Sequence, residues 1–292
     1  MSQLPKLQLW FEGLRPKTIP AAVVPVIVGT ASVKTGLTLH RLLLALVVSI
    51  ALQVGVNYAN DYSDGIRGTD EDRIGPRRLV GSGLIDAKQV KVAAGISFLI
   101  AAIAGLVLAI MTSLLLIVIG CLAILAAWFY TGGSQPYGYS GYGEISVFVF
   151  FGLVATVGSS YVQSQNIESI AILCSVPVGL LASALLVVNN FRDIETDSKT
   201  GKQTFAVRLG KAKTQMLFAL LLLGSLGMYV LIAVLYTYLV LITLAVIPLS
   251  LKLIYGIYSK ESAQDLIKIL ENTAKLHLLA GILLSISLAT GL

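Results

Sequence analysis

The chain has 292 residues, of which 56% are hydrophobic and only 12% are charged. Because soluble domains carry roughly 25% charged residues, this composition excludes an ordinary soluble fold and predicts a polytopic membrane protein. The net charge of +6 does not indicate nucleic-acid binding, since the basic residues lie in loops between apolar segments. Cys121 and Cys174 stand singly in apolar segments, and His40 and His277 lie far apart. We therefore expect neither a disulfide framework nor a histidine metal site.

The first 18 residues are basic and amphipathic and have no compact apolar core followed by a small-residue cleavage site. This pattern predicts a helix at the membrane interface, with Trp10 and Phe11 as anchors, rather than a cleavable signal peptide. A membrane span needs about 20 mostly apolar residues, and nine such segments follow, at 19–34, 40–60, 90–110, 113–131, 144–163, 167–190, 214–234, 236–256 and 273–291. The expected fold is all-α, with nine transmembrane helices in a single domain over residues 1–292.

The distribution of charge orients these helices. All lysines and arginines except Lys34 and Arg41 fall in the N-terminal segment or on the side of the loops after the second, fourth, sixth and eighth helices. Because positive residues mark the cytoplasmic side, we expect the N-terminus and the long loops to be cytoplasmic, in a cell inner or plasma membrane. The apolar stretch 213–258 is divided near Tyr236, since one helix of that length would overshoot the bilayer.

A polar motif follows the second predicted helix, with Asn60, Asp61 and Asp64 directly after an apolar segment. If the helix continues through the motif, residues four apart lie on one face with Cβ atoms about 5–6 Å apart. Asn60 and Asp64 would then form an oxygen-rich stripe. Since an aspartate at membrane depth costs about 2.5–3.5 kcal/mol, we expect the stripe to face a polar cavity or a bound cation.

The pattern recurs after the sixth predicted helix, where Asn189, Asn190 and Asp193 are followed one turn later by Asp197. A continuing helix would align Asn189, Asp193 and Asp197 on one face, on the same side of the membrane as the first motif. Ordinary helix-end acids, balanced by nearby cations, are an alternative explanation for one motif; two copies on one side favour a shared site. Oxygen-only ligands suit Mg²⁺, which uses one or two carboxylates plus waters and substrate phosphates.

Basic residues accompany both motifs. Arg67 follows the first motif, and Arg192 and Lys202 lie within the second. Carboxylates, a metal ion and Arg or Lys side chains are the combination that binds a diphosphate. Cytoplasmic positive charge by itself explains most of the other basic residues nearby, which are Arg73, Arg77, Arg78, Lys199 and Arg208.

The chain resembles the UbiA superfamily of intramembrane prenyltransferases in both motifs, Asn60-Asp-x-x-Asp64 and Asn189-x-x-x-Asp193-x-x-x-Asp197. Shorter stretches narrow the resemblance to the branch that acts on 1,4-dihydroxy-2-naphthoate in menaquinone synthesis. They are Arg15-Pro-Lys-Thr18, Asp72-Arg-Ile-Gly-Pro76, Tyr130-Thr-Gly-Gly133, Pro136-Tyr-Gly-Tyr139 and Gly143-Glu144. The similarity covers essentially the whole chain.

The resemblance implies helices around a central cavity, a side opening for an isoprenoid tail, and Mg²⁺ as the cofactor. It also implies polyprenyl transfer from polyprenyl diphosphate to 1,4-dihydroxy-2-naphthoate with decarboxylation, giving demethylmenaquinol. Asp64 and Asp193 would be catalytic. By the same resemblance, the magnesium ligands would be Asn60, Asp64, Asp193 and Asp197. The residues contacting diphosphate would be Asn189, Arg192, Lys202 and Arg67.

Further residues are candidates for the aromatic acceptor, and each has an alternative role. Arg15 and Lys17 either reach the acceptor carboxylate or anchor to anionic headgroups. Tyrosines of the 130–142 loop either stack on the acceptor and stabilise an allyl cation or form an interfacial aromatic belt. Glu144 is either a general base towards an acceptor hydroxyl or a plain acid at a helix start. The full expected acceptor set is Arg15, Lys17, Asp61, Tyr130 and Tyr139.

Two departures from the family pattern leave alternatives open. The third Asp often found in the first motif is Gly68 here, and the next acid is Asp70, whose role stays open. The loop after Tyr130 lacks the Lys of hydroxybenzoate-type relatives, which argues against that acceptor but leaves other aromatic acceptors possible. A second class also fits the repeated motif, namely a transporter with a midplane cation site. The position of the acids at helix ends and the odd helix count disfavour it.

Overall fold

The computed structural model describes residues 6–34, 36–69, 78–260 and 262–291. Within these ranges the chain forms helices and no strand, as expected. A short helix, α1 (Lys6–Gly13), comes first. It is followed by α2 (Ile19–Ala31), α3 (Leu39–Ile66), α4 (Ala87–Met111), α5 (Leu115–Phe129), α6 (Gly143–Ser164), α7 (Ser169–Arg192), α8 (Ile194–Lys199), α9 (Phe205–Leu235), α10 (Tyr238–Ser259) and α11 (Ala263–Gly291).

Seven of the described helices are long and apolar enough to cross a membrane, namely α3, α4, α6, α7, α9, α10 and α11. They confirm seven of the predicted spans and a multi-pass, all-helical membrane protein. The other two predicted spans, 19–34 and 113–131, correspond to α2 and α5. These helices have 13 and 15 residues, fewer than the about 20 that a full span requires. The count of nine spans therefore stays a prediction.

Three helices extend beyond their predicted bounds on the side of the polar motifs. α3 runs to Ile66 instead of 60, α9 begins at Phe205 instead of 214, and α11 begins at Ala263 instead of 273. The extension of α9 is bent at Gly210, whose φ of 75° suits a residue without a Cβ atom. The predicted division near Tyr236 is confirmed, because α9 ends at Leu235 and α10 begins at Tyr238.

α7 is the most buried of the long helices and packs against α6, α9 and α11. It meets α6 backbone to backbone, since a Cβ atom at Gly152 would lie 2.6 Å from the Cα atom of Gly179. In α6 this crossing coincides with a π-helical segment, Phe148–Val154, a rare geometry that often accompanies functional sites. The outward faces of α4 and α5 are exposed and apolar, for example at Ile110 and Leu122, as contact with lipid requires.

Helix α1 is docked on the protein. Leu9 is buried in one apolar cluster with Leu79, and Trp10 packs edge-on against Tyr58 with ring centroids 5.6 Å apart. Of the two predicted interface anchors, Phe11 is exposed and available to lipid, whereas Trp10 contacts the protein. This docking fixes α1 next to α3, which carries the first polar motif.

Candidate active site

Helices α2 to α7, with the loops at the ends that carry the polar motifs and the start of α11, enclose a cavity of about 850 Å³. One part of its wall is polar and carries residues of both motifs. The other part is apolar and is formed by α4, α5 and α6, including Leu108, Leu116, Ile119, Phe150 and Phe151. A concave site with an apolar lining and a few convergent polar groups is the usual form of a small-molecule site.

The first motif is helical, as predicted, and presents Asn60 and Asp64 to the cavity. Asp64 is buried, and its carboxylate receives hydrogen bonds from the Nζ of Lys202 at 3.0 Å and from the Tyr139 hydroxyl. A nitrogen of Arg78 lies 4.0 Å from the other carboxylate oxygen. Two positive charges therefore offset one buried carboxylate, as burial of an ionised group requires.

Asp61 occupies a different face of α3. Its two carboxylate oxygens accept the backbone N–H groups of Leu79 and Val80 at 2.9 and 3.0 Å. It therefore holds the segment after residue 77 against α3. Asp61 is not among the described residues that line the cavity. Its predicted acceptor-binding role therefore has no geometric support.

The second motif departs from the predicted continuous helix. α7 ends at Arg192, Asp193 has the non-helical values φ −96° and ψ 6°, and α8 starts at Ile194. Asp197 nevertheless stays close, because its backbone N–H donates to the Asp193 carbonyl at 2.8 Å. The three predicted stripe residues of this motif still line the same cavity as Asp64; they are Asn189, Asp193 and Asp197.

Arg192 is tied to its own motif. Its guanidinium donates to both carboxylate oxygens of Asp193 at 2.7 Å and to the side-chain oxygen of Asn189 at 2.9 Å. Such a bidentate pair is among the stronger hydrogen-bonded arrangements in proteins. Arg192 and Asn189 line the cavity, and their contact with a diphosphate stays a prediction.

Lys202 joins the two motifs. Its ammonium contacts Asp64 of the first motif and lies 4.7 Å from the centroid of the Tyr139 ring. Its backbone N–H donates to the Asp197 carbonyl at 2.9 Å, and the next residue, Gln203, donates to the Tyr139 carbonyl at 2.9 Å. The predicted meeting of two distant motifs is therefore made through a buried lysine.

The tyrosines of the 130–142 loop lie at the polar wall. Tyr130 is in edge-on contact with Tyr137, with ring centroids 5.5 Å apart, and it faces the cavity. Burial first, and then the Asp64 carboxylate, raise the pKa of Tyr139. The Tyr139 phenol is therefore a neutral hydrogen-bond donor to Asp64.

Arg67 does not reach the cavity wall that the structure describes. Its guanidinium donates to the carbonyls of Thr131 and Gly133, both at 2.5 Å, and lies 5.3 Å from the Tyr139 ring centroid. It holds the 130–142 loop in place, so its predicted diphosphate contact has no geometric support. Arg78, in contrast, is buried and lines the cavity. No sequence signal distinguishes it from the other loop arginines.

Arg15 and Lys17 lie at the edge of the cavity, as an acceptor-binding role requires. Arg15 donates to the Asn57 carbonyl at 3.4 Å, and Lys17 forms an ion pair with Glu271 of α11 at 2.5 Å. Beside them lies a polar cluster that motif analysis missed. Thr18 receives hydrogen bonds from Gln53 at 3.1 Å and Asn57 at 3.0 Å. Gln53, Asn57, Asn60 and Asp64 follow helical spacing, and that spacing is the signal that could have found the cluster.

Glu144 is buried behind the cavity wall. One carboxylate oxygen accepts the side-chain N–H of Asn190 at 2.9 Å, and Asn190 itself lines the cavity. Glu144 itself does not line the described cavity wall, so its predicted role as a general base has no direct geometric support. The open role of Asp70 and the motif Asp72–Pro76, together with Arg73 and Arg77, falls outside the described residues.

The oxygen ligands fit a magnesium–diphosphate complex better than a metal held by protein alone. Among the described residues there is no group of three or more His, Cys, Asp or Glu side chains that could hold a metal ion. Asp64, Asp193 and Asp197 nevertheless share one cavity with Asn60 and Asn189. Mg²⁺ typically needs only one or two carboxylates when substrate phosphates supply further oxygens. The residues present therefore fit the ion.

A profile described as the UbiA prenyltransferase family matches residues 22–279. The chain belongs to the UbiA prenyltransferase family. It is 44% identical to a 1,4-dihydroxy-2-naphthoate octaprenyltransferase of Mycobacterium tuberculosis, over 97% of each chain. It is 40% identical to a protein of the same name from Haemophilus influenzae, over 98% of this chain and 97% of that one.

Solved structures share the fold. A UbiA homologue from Archaeoglobus fulgidus, solved bound to DMAPP and Mg²⁺, superposes with a TM-score of 0.66 over 95% of this chain and 99% of that chain. The two sequences are 14% identical, so the likeness concerns the fold. Family membership makes the chain a multi-pass membrane prenyltransferase and decides against the transporter alternative.

Proposed function

We propose that this enzyme transfers a polyprenyl group from polyprenyl diphosphate to 1,4-dihydroxy-2-naphthoate, with loss of the carboxylate, giving demethylmenaquinol in menaquinone biosynthesis. The observation that carries the proposal is one cavity with two unlike parts. Its polar part holds three aspartates of two distant motifs with Lys202 and Arg192, and its other part is apolar. The names of the two bacterial relatives support the choice of acceptor and of a long donor.

The polar part suits the diphosphate head of the donor. Asn60, Asp64, Asp193 and Asp197 would hold Mg²⁺, which supplies Lewis-acid stabilisation of charge on the leaving pyrophosphate. In the structure Lys202 pairs with Asp64 and Arg192 pairs with Asp193. When a diphosphate is bound, the same two cations are positioned to take phosphate oxygens.

The reaction requires the allylic donor to ionise in a site from which water is excluded. The allylic C–O bond breaks, its electron pair leaves with pyrophosphate, and a ring carbon of the acceptor bonds to the allyl cation. Carbon dioxide is then lost from the substituted carbon, which restores the aromatic ring. Tyr130 faces the cavity, and an aromatic ring stabilises a nearby cation through its quadrupole. Arg15 and Lys17 are the cations that would hold the acceptor carboxylate.

The apolar part suits the isoprenoid tail. Leu108, Leu116, Ile119, Phe150 and Phe151 supply an apolar wall, and burying hydrocarbon releases roughly 0.8 kcal/mol per CH₂ group. We propose that a long tail passes from here into lipid. We also propose that residues 1–292 form one domain in the cell membrane, with the N-terminus and both motifs cytoplasmic, because the basic residues cluster on that side.

The test uses purified protein in detergent with 1,4-dihydroxy-2-naphthoate, a polyprenyl diphosphate and Mg²⁺, and detects the decarboxylated, prenylated product by mass spectrometry. We expect product that disappears with EDTA and in Asp64→Ala and Asp193→Ala. Glu195→Ala is the matched control for an acid, because Glu195 is exposed on α8 and pairs with Lys211 at 2.9 Å. Product in EDTA would refute the metal role, and a preference for another aromatic acceptor in a panel would refute the naphthoate.

A further inference from the structure

Glu144 carries a polar atom that the fold leaves without a partner. Its Oε2 atom is buried and has no hydrogen-bond partner among the described residues. The residue is 8% exposed and the Oε2 atom is buried, so the missing bond is not replaced by bulk water. Leaving a buried acceptor unsatisfied costs about 1–3 kcal/mol, and more for a charged group. Buried polar atoms of this kind are few in native proteins and call for an explanation.

The other oxygen of Glu144 fixes one residue of the cavity wall. Oε1 accepts the side-chain N–H of Asn190 at 2.9 Å. Because the amide nitrogen donates to Glu144, the amide oxygen is the atom with which Asn190 can accept a hydrogen bond from a group in the cavity. Asn190 lines that cavity, and Glu144 does not line the part of it that the structure describes. An effect of Glu144 on a ligand in the described part of the cavity would therefore pass through Asn190.

The surroundings of Asn190 favour a ligand hydroxyl that donates a hydrogen bond over a phosphate group. An amide oxygen accepts hydrogen bonds and is repelled by an anion. The adjacent Asn189 has its side-chain oxygen engaged by Arg192 at 2.9 Å, so the two asparagines serve different partners. Tyr130 lines the same cavity as Asn190, and its hydroxyl lies next to the residue before Glu144, since a Cβ atom on Gly143 would stand 3.1 Å from the hydroxyl oxygen. An aromatic ring and an oriented acceptor atom together suit a planar phenol.

We propose that Asn190 binds a ring hydroxyl of the aromatic acceptor through its amide oxygen, and that Glu144 is the positioning residue that orients this amide. A hydrogen bond accepted from the ring hydroxyl increases electron density on the ring, which favours attack by a ring carbon on the allyl cation. The inference rests on the proposed function and names the acceptor contact at the same site. It replaces direct base catalysis by Glu144.

A double-mutant cycle tests the coupling between the two residues. In Asn190→Ala and in Glu144→Ala we expect kcat/KM for the acceptor to fall about 10- to 100-fold, mainly through the acceptor KM. The double variant should be no worse than either single variant. Glu144→Gln should recover most of the loss, because its amide oxygen still accepts from Asn190. The KM for prenyl diphosphate and the Mg²⁺ dependence should not move.

A second measurement does not depend on the stability of the variants. The two monomethyl ethers of 1,4-dihydroxy-2-naphthoate each remove one hydroxyl proton. We expect the wild-type enzyme to prefer the free diol over one ether by a similar 10- to 100-fold factor, and Asn190→Ala to lose that preference.

Additive losses in the cycle, a shift in Mg²⁺ or donor dependence, or equal use of both ethers by the wild-type enzyme would overturn the inference. No prenylated naphthoate from the wild-type enzyme would instead overturn the proposed function.

Discussion

The two parts of the cavity are built in different ways. At the polar part, buried charges are held by specific partners. Asp64 on α3 is contacted by Tyr139 and Lys202 from two separate loops, and Asp193 is paired with the neighbouring Arg192. At the apolar part the wall consists of helix faces, and Gly120 and Gly158 leave open space where a side chain would stand. Binding at the polar part therefore depends on particular atoms, whereas binding at the apolar part depends on the available volume. Substitutions at the two parts should therefore affect different kinetic quantities.

The largest effect is expected at Asp64, the residue that both loops contact. Asp64→Asn keeps the size and removes the charge, so we expect kcat to fall by about 100- to 1000-fold or more, as for loss of a key electrostatic group. Hydrogen exchange of residues 137–140 should also rise, because Tyr139 and Lys202 lose their carboxylate partner. Glu195→Gln, an exposed acid on α8, is the control, and activity close to its level would contradict the account.

Lys202 should matter next. Lys202→Met keeps the length but removes the charge that offsets Asp64 and would contact phosphate. We expect the KM for prenyl diphosphate to rise about 10- to 100-fold, in line with the loss of a charge-assisted contact, while the acceptor KM changes little. Lys211→Met is the matched control, because Lys211 is exposed and pairs with the exposed Glu195. Equal effects of the two variants would remove Lys202 from the donor site.

At the apolar part, added volume should select against long donors. Gly158 lines the cavity, and no heavy atom of the described chain lies within 4 Å of its Cβ position. In Gly158→Leu we expect kcat/KM for a long polyprenyl diphosphate to fall about tenfold more than for geranyl diphosphate, since overpacking costs about 1–3 kcal/mol. Gly227→Leu is the control: its Cβ position is equally open, but it lies on α9. A length-independent loss would contradict the prediction.

The smallest effect is expected at Tyr139. Tyr139→Phe removes one hydrogen bond to Asp64, so we expect a two- to tenfold loss of kcat/KM. Because folding raises the pKa of Tyr139, the stabilisation from the neutral phenol is complete below about pH 10 and is lost as the pH rises further. Thermal unfolding in detergent should therefore be more sensitive to alkaline pH in the wild type than in the variant. Identical pH dependence would show that Tyr139 does not couple to Asp64.

Most of the polar part could be predicted from sequence, because helical spacing and charge act locally. Asn60 and Asp64 share a helix face, as their spacing requires. Asp61, the residue after Asn60, instead accepts a hydrogen bond from the backbone of Leu79. The break at Asp193 was not predictable, since no Gly or Pro marks it. The pairing of Lys202 with Asp64, 138 residues away in the chain, is set by tertiary packing. The sequence does not indicate which helix faces line the apolar part of the cavity, because α5 is apolar on all sides.

The central claim is that two distant motifs form one site for a metal-bound diphosphate. The most direct measurement is an experimental structure with Mg²⁺ and a non-hydrolysable prenyl thiodiphosphate. We predict that Asp64 of the first motif and Asp193 or Asp197 of the second contact Mg²⁺ around one diphosphate, with the tail along α5 and α6. A diphosphate bound by one motif alone, or a headgroup outside this cavity, would contradict the account.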